Sequence, residues 1–416
     1  MSWRAPQELP DLRRVGRIAL DTETNDEGLR ADRGSAWPWG GGYICGASVA
    51  WREGGAIRPM YIPLRHPDTA NIPVEQFAGW MKDLVVNSAV AFVGQKLVYD
   101  FGWLRADFGI AMPPPERLDD VSCMAALLDE NQYSYSLEAM CARYGLRGKD
   151  DTLLREATAC FATGRKKVVP QEHIWRLPAH LVGPYAERDP AATLELFEVL
   201  DPLLGAEGLR AAYRLDMAIL APVLEMRARG IRIDQDAAVQ GRDYCLYKRD
   251  AALAELSAQY GSPIGMDEVN GRKWKIQAFD KYDIEYHLTE NGNPSFAAGR
   301  SGWMRRSEHW LPHGIIAARR YHDAAVKFLE GHILRHIVNG RIHAEIHPFR
   351  AEDGGTRTSR FSCSDPPLQQ VPTHDPELGK LIRRRMVVHV RLPSARVRPR
   401  HRPRRAAPVA GRLGGG

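Results

Sequence analysis

Three places in the sequence carry acidic residues at spacings that could do chemistry. Asp21-Thr22-Glu23-Thr24 follows the apolar run RIAL at 17–20. Asp100 follows Gly94-Gln95-Lys96-Leu97-Val98-Tyr99, and Asp189 lies in Tyr185-Ala186-Glu187-Arg188-Asp189-Pro190. Asp21 and Glu23 stand two residues apart at the end of the expected strand, so alternation turns both side chains to one face. Carboxylates on one face repel unless positive charge lies between them, and hard oxygen donors favour Mg²⁺ or Mn²⁺. The triplet is not distinctive by itself. Asp-x-Glu recurs at Asp283/Glu285 and Asp375/Glu377, where no apolar run leads in and solvated surface is the expectation. Asp100 has a plainer reading as a residue near a helix start that caps it or offsets its dipole. Asp189 before Pro190 reads equally as an N-cap with proline at N1. Tyr185 and Asp189, four apart, share a face if the helix is continuous; Pro190 could instead start or kink it.

These residues need elements to position them. Strands are expected over 17–20, 42–51 and near 89–93, where short apolar runs carry β-branched residues. Helical periods cover 74–86, 99–108, 136–144 and 191–204. The stretch GSAWPWGGG at 34–42 is a Gly-rich loop without helical period. Strands with interleaved helices indicate an α/β domain over residues 1–205. From 206 to 339 the pattern is mainly helical, with amphipathic stretches at 209–228, closed by Gly230, and at 315–337. Asn339-Gly340 signals a turn and 341–349 alternates like a strand. Residues 350–372 read as loop and irregular strand.

Taken together and in order, the three acidic elements resemble the exonuclease motifs of family A DNA polymerases, the DNA polymerase I family. There the first motif looks like DTET, the second like GQNLKYD and the third like YAxxDxxxT. The resemblance implies an RNase H-like 3′→5′ exonuclease domain, a mixed sheet flanked by helices, with a D-E-D-D carboxylate set and a catalytic tyrosine. Asp21, Glu23, Asp100, Tyr185 and Asp189 match in type and order. The first, second, third and last would hold two divalent ions, Mg²⁺ or Mn²⁺, about 4 Å apart. Tyr185 would orient the water that attacks the 3′-terminal phosphodiester. The loop at 34–42 resembles phage-type members of the family.

The likeness continues past 205. Residues 215–234 look like the family's entry to the polymerase thumb, and 321–347 like its return to the palm. Thr356 to Pro372 resembles TGRxSSxxPNLQNIP, a segment that contacts primer–template duplex. Arg360, Ser362 and Gln369 match its polar positions and are the expected DNA-binding residues. Ser359 stands where that pattern has Gly, and Pro367 where it has Asn. The implied division is nuclease over 1–205, helical thumb over 206–340, an incomplete palm over 341–388 and a disordered basic tail over 389–416. After Arg383-Arg384-Arg385-Met386 the likeness breaks off. The palm's DYSQIE-like and HDE motifs, which supply the polymerase carboxylates, do not follow. The expectation is therefore a truncated polymerase with nuclease but no polymerase activity.

Composition agrees with a globular protein. The 416 residues are 44% hydrophobic with formal net charge +6. From Leu378 to Gly416 there are twelve Lys or Arg and no acid, which leaves 45 basic against 51 acidic residues elsewhere. The basic character thus belongs to the tail, which has the composition of a non-specific phosphate-binding segment. Six scattered cysteines without CxxC spacing suggest neither zinc nor a disulfide framework, and a reducing, cytoplasmic setting is expected. No apolar run spans a bilayer. The expected partners are DNA, as single-stranded 3′ ends and primer–template duplex, with no membrane and no small-molecule cofactor, and the chain is expected to be a monomer. Two other readings stand beside this one. An RNA 3′-exonuclease would share the carboxylates but lack the thumb-like half. A catalytically silent DNA-binding fragment would need no metal.

Overall fold

The computed structural model describes residues 3–148, 151–162, 168–296, 302–352, 354–372, 375–384 and 386–387. The expected tail at 389–416 lies outside them. The first region is built on a five-stranded sheet of order β3-β2-β1-β4-β5. Its strands are β1 (Arg17–Asp26), β2 (Gly42–Glu53), β3 (Ala56–Pro63), β4 (Ala91–Gly94) and β5 (Leu118–Asp120). β1, β2 and β3 run antiparallel, whereas β4 and β5 join β1 in parallel. The sheet is therefore mixed. β1 reaches well past residue 20, so Asp21 and Glu23 lie mid-strand and not at its end. A bulge follows between Glu23 and Thr24. β3 and β5 have no counterpart in the sequence reading.

The helices of this region are α1 (Glu27–Arg30), α2 (Val74–Val86), α3 (Leu97–Phe108), α4 (Val121–Leu128), α5 (Leu137–Arg143), α6 (Thr152–Thr158), α7 (Ala179–Ala186) and α8 (Arg188–Ala206). α2 spans the residues its apolar period indicates. β1 is half-buried or buried along its whole length, because helices and loops cover it. Phe92 of β4 meets Phe101 of α3 edge to face at 5.6 Å. Both rings are fully buried, each worth roughly 2–3 kcal/mol of apolar burial.

The second region begins with α9 (Arg210–Arg229), closed by Gly230 at φ 61°. β6 (Ile231–Ile233), α10 (Gln235–Tyr260), α11 (Met266–Asn270), α12 (Arg272–Lys281), the β7 (His287–Leu288) and β8 (Pro294–Ser295) hairpin and α13 (Trp310–His322) follow. α13 runs into a π-helical segment, Asp323–Ile333. The chain then forms β9 (Arg341–Ile342), β10 (Glu345–His347), β11 (Ser362–Ser364), α14 (Leu378–Arg383) and β12 (Met386–Val387). Among the described residues no helix is long and apolar enough to cross a membrane. The division expected at 205 falls in the last turn of α8, which ends at Ala206, while Tyr213, Met217, Leu220 and Leu224 of α9 join the core of the first region.

The two regions also meet at the loop of residues 34–42. Glu345 Oε1 accepts from the Ser35 amide and hydroxyl, both at 2.6 Å, and from Arg227 Nη2 at 2.5 Å. The Arg227 guanidinium lies 4.9 Å from the Trp37 ring, and His343 Nδ1 donates to the Arg227 carbonyl at 2.7 Å. Gly34 has φ 76°, and a Cβ there would come within 2.9 Å of Glu345 Cγ. The loop is thus a joint whose tightness depends on that glycine.

Candidate active site

Asp21, Glu23 and Asp189 converge. Each offers a carboxylate oxygen, and these atoms all lie within 4.8 Å of one another. Among the described residues this is the one such acidic, His or Cys group. β1 supplies the first two on one face, and α8 supplies the third. Asp189 is the second residue of α8, not its cap; the helix starts at Arg188. Pro190 sits one position further in, and its missing N–H accompanies the single-residue break between α7 and α8 at Glu187. Glu187 keeps αR geometry, φ −69° and ψ −26°, so Tyr185 and Asp189 belong to one nearly continuous helical run.

Asp100 comes from the other side of β1. β4 ends at Gly94, so the N–H groups of β1 beyond Ala19 lose their parallel strand neighbour. Asp100 Oδ1 fills that place, accepting from the Thr22 amide at 3.0 Å and the Thr22 hydroxyl at 2.8 Å. Gly94 lets the turn form, since a Cβ would sit 2.4 Å from Leu97 Cδ2. Asp100 is the fourth residue of α3, so it is not a cap. It is 2% exposed. Burial is the largest influence on its carboxyl and pushes it up to about 7, against the Thr22 hydrogen bonds that lower it, with the nearby Asp120 charge raising it further. Asp120 is likewise pushed up by burial, to about 6.

Asp21, Asp100 and Asp120 line one cavity of about 440 Å³. Its opposite wall is Glu345, His347, Phe349 and Glu352 of the second region, with Lys96 and Arg227 as cations. Lys96 holds φ 66° and its ammonium is 3.7 Å from Glu352. Tyr185 is 4% exposed. It lines a different cavity of about 520 Å³, together with Arg147 and Arg188. Its hydroxyl accepts from Gln171 Nε2 at 3.5 Å.

The three expected DNA-binding residues lie on the second region. Arg360 is exposed. Ser362 Oγ accepts from the Gly355 amide at 3.0 Å. Gln369 accepts from the Cys363 amide at 3.2 Å and donates to the Phe361 carbonyl at 2.6 Å. Both polar side chains therefore shape the loop that presents Arg360. Ser359 holds φ 53°, a conformation that glycine adopts without cost.

Sequence reasoning passed over Thr22, Asp120 and the Ser35–Arg227–Glu345 joint. Asp120 carried a usable signal, since an Asp directly before the apolar run at 121–128 is a helix-start pattern. The joint carried none, because its members are far apart in the chain.

Comparison with known proteins adds a family. No protein-family model matches the chain. It is 29% identical over 386 residues to the DNA-directed DNA polymerase of Pseudomonas phage M6, covering 90% of this chain and 56% of that protein. It is 27% identical over 296 residues to DNA polymerase DpoZ of Vibrio phage phiVC8, covering 65% and 45%. It is 25% identical over 401 residues to DNA polymerase I of Rhizobium leguminosarum, covering 90% and 36%. The fold is similar to part of the POL domain of Pol1 from M. smegmatis, solved in complex with DNA primer-template and dNTP. The TM-score is 0.66 at 17% identity, over 90% of this chain and 56% of that one. The architecture resembles part of a DNA polymerase fold and gathers the carboxylates of Asp21, Glu23 and Asp189. By its relatives the chain is a homologue of the family A, or DNA polymerase I, group. It spans about half the length of the phage polymerases it matches.

Proposed function

We propose that this chain is a metal-dependent 3′→5′ exonuclease of the proofreading type, which releases nucleoside monophosphates from DNA 3′ ends. The observation that carries the proposal is the meeting of Asp21, Glu23 and Asp189 within 4.8 Å. In this reading the five-stranded mixed sheet is the RNase H-like nuclease domain. The relatives' polymerase names make DNA the favoured substrate.

The donor set fits Mg²⁺ or Mn²⁺. It is all carboxylate oxygen, with no nitrogen or sulfur that would favour a softer ion. Asp21, Glu23 and Asp189 come close enough to hold one ion, and with Asp100, which lines the same cavity as Asp21, the four carboxylates would hold two. The ions would supply an activated water and charge stabilisation at the scissile phosphate. The chain's own residues prepare the site for them. Thr22 fixes Asp100 Oδ1 with two hydrogen bonds, which leaves the carboxylate a defined direction. Burial raises the Asp100 carboxyl, and a bound cation would favour its charged form. Lys96 and Arg227 on the cavity wall offer positive charge to a phosphate backbone. Tyr185, four residues before Asp189, is the candidate for orienting the attacking water.

The test is digestion of a 5′-labelled single-stranded oligonucleotide with Mg²⁺. The expected result is stepwise shortening by the wild-type chain and none by Asp21→Ala/Glu23→Ala. Metal-independent binding without shortening, by a folded wild-type chain, would sink the proposal and favour a silent DNA-binding protein. Primer extension on the same preparation tests the accompanying expectation that the chain does not polymerise.

A further inference from the structure

We infer that Asp120 is a positioning residue of the carboxylate centre: one carboxylate that caps two helices and thereby fixes the helix bearing Asp100. The inference rests on the nuclease reading for its functional meaning, and on geometry for its substance.

The first N–H groups of any helix lack intrahelical acceptors. α3 begins after Lys96, in left-handed geometry, and has no side-chain cap from that residue. Leu97 is fully buried, so its amide has no water to turn to, and leaving a buried donor unmet is costly. Asp120 Oδ2 accepts from that amide at 3.0 Å. The other oxygen of the same carboxylate accepts from the Ser122 and Cys123 amides, at 3.0 and 3.3 Å, capping α4.

The carboxylate is itself anchored. The Asp120 amide donates to Tyr213 Oη at 2.9 Å. That hydroxyl donates to Asp119 Oδ1 at 3.0 Å, and Asp119 is ion-paired with Arg17 at 2.8 Å and Arg214 at 3.3 Å. Asp120 has no exposed surface and both its oxygens are engaged, so it acts through Leu97 and is not a further ligand. Asp100 lies three residues after Leu97, less than one helical turn. Slack at Leu97 therefore passes directly to Asp100, whose other tether is Thr22 on β1. Residues that orient metal ligands in this way typically matter about 10–100-fold in metal affinity.

Asp120→Asn is the informative variant. One oxygen becomes an amide nitrogen that cannot accept. The two α4 donors retain the remaining oxygen, and the Leu97 amide loses its acceptor. Mn²⁺ binding to the full chain is measured by calorimetry, the site being the component lost in Asp21→Ala/Glu23→Ala. The expected result is binding about 10–100-fold weaker in Asp120→Asn. Half-saturating Mg²⁺ for nucleotide release should rise in parallel, with turnover at saturating Mg²⁺ within about threefold. Asp234→Ala, which removes the cap of α10, is the control: it should lower the melting temperature and leave Mn²⁺ binding unchanged. Tyr213→Phe keeps the ring and loosens the Asp120 anchor. It is expected to weaken Mn²⁺ binding about threefold, and it decides the matter if Asp120→Asn fails to fold. Wild-type-like Mn²⁺ binding in a folded Asp120→Asn or Tyr213→Phe protein overturns the inference, as does an equal loss in Asp234→Ala. Wild-type Mn²⁺ binding without nucleotide release removes the nuclease reading alone, because the shift in binding is still read.

Discussion

The same three-residue pattern, Asp-x-Glu, occurs in both regions and is treated in opposite ways. Asp21 and Glu23 sit on a central strand and meet a third carboxylate, Asp189. Asp375 and Glu377 meet Arg320 instead, at 2.6 and 2.9 Å, with Tyr244 and Tyr321 also donating to Glu377. The hydrogen bonds from Arg320 hold Asp375 down to about 2, whereas burial drives Asp100 up to about 7. One region sets an arginine between its two acids. The other gathers three carboxylates, which in the proposed reading hold a divalent ion. The lesson is that a D-x-E triplet gains meaning from the strand beneath it and the partner opposite, not from its own spelling.

The comparison breaks if the two triplets prove interchangeable. Asp21→Ala/Glu23→Ala should lose several kcal/mol of transition-state stabilisation, on the order of a thousandfold in nucleotide release. Asp375→Ala/Glu377→Ala should leave release within about threefold, since no loss at the reacting centre is involved.

Acid and base dependence of stability sharpens it further, and the signs differ between the regions. Asp100 has its folded pKa raised, so its contribution in metal-free protein is full below the unfolded value of 3.8 and is lost as pH rises through about 7. Asp100→Asn should therefore raise metal-free stability at pH 7.5 and flatten its pH dependence between about 4 and 7. Asp375 has its folded pKa lowered, so its contribution is full above 3.8 and is lost as pH falls through about 2. Arg320→Ala should cost about 1–2 kcal/mol at neutral pH and remove that acid-side loss. Thermal melts in EDTA across pH check both. The smallest expected loss of activity within the first region is Tyr185→Phe. It should slow release about tenfold with Mn²⁺ binding unchanged; weakened Mn²⁺ binding would instead make Tyr185 part of the packing behind Asp189.

Much of the first region was legible because its signals are local. The apolar period marked Val74–Val86 at both ends, and the motif order indicated Asp21, Glu23 and Asp189, which the fold gathers. β3 was missed because Pro59 and Pro63 argue against a strand; it is an edge strand, where proline is tolerated. β5 was missed because three residues carry no period. Asp120 as a bridge between helices was invisible because the Leu97 amide it meets is 23 residues earlier. The length of β1 was underread because the acidic residues beyond Leu20 interrupt the apolar pattern while the backbone stays extended.

The joint between Ser35 and Glu345 joins residues 310 apart in the chain. At ribosomal speeds of about 5–20 residues per second, roughly 15–60 s separate the synthesis of its two halves. For that interval Ser35 is without the Glu345 carboxylate and Trp39 is without the His343 imidazole for nearly as long, while the Arg227 guanidinium, 192 residues after Ser35, arrives sooner. The nascent first region thus emerges with an unfinished, aromatic-rich edge, and the strand at 345–347 arrives as the piece that retires it.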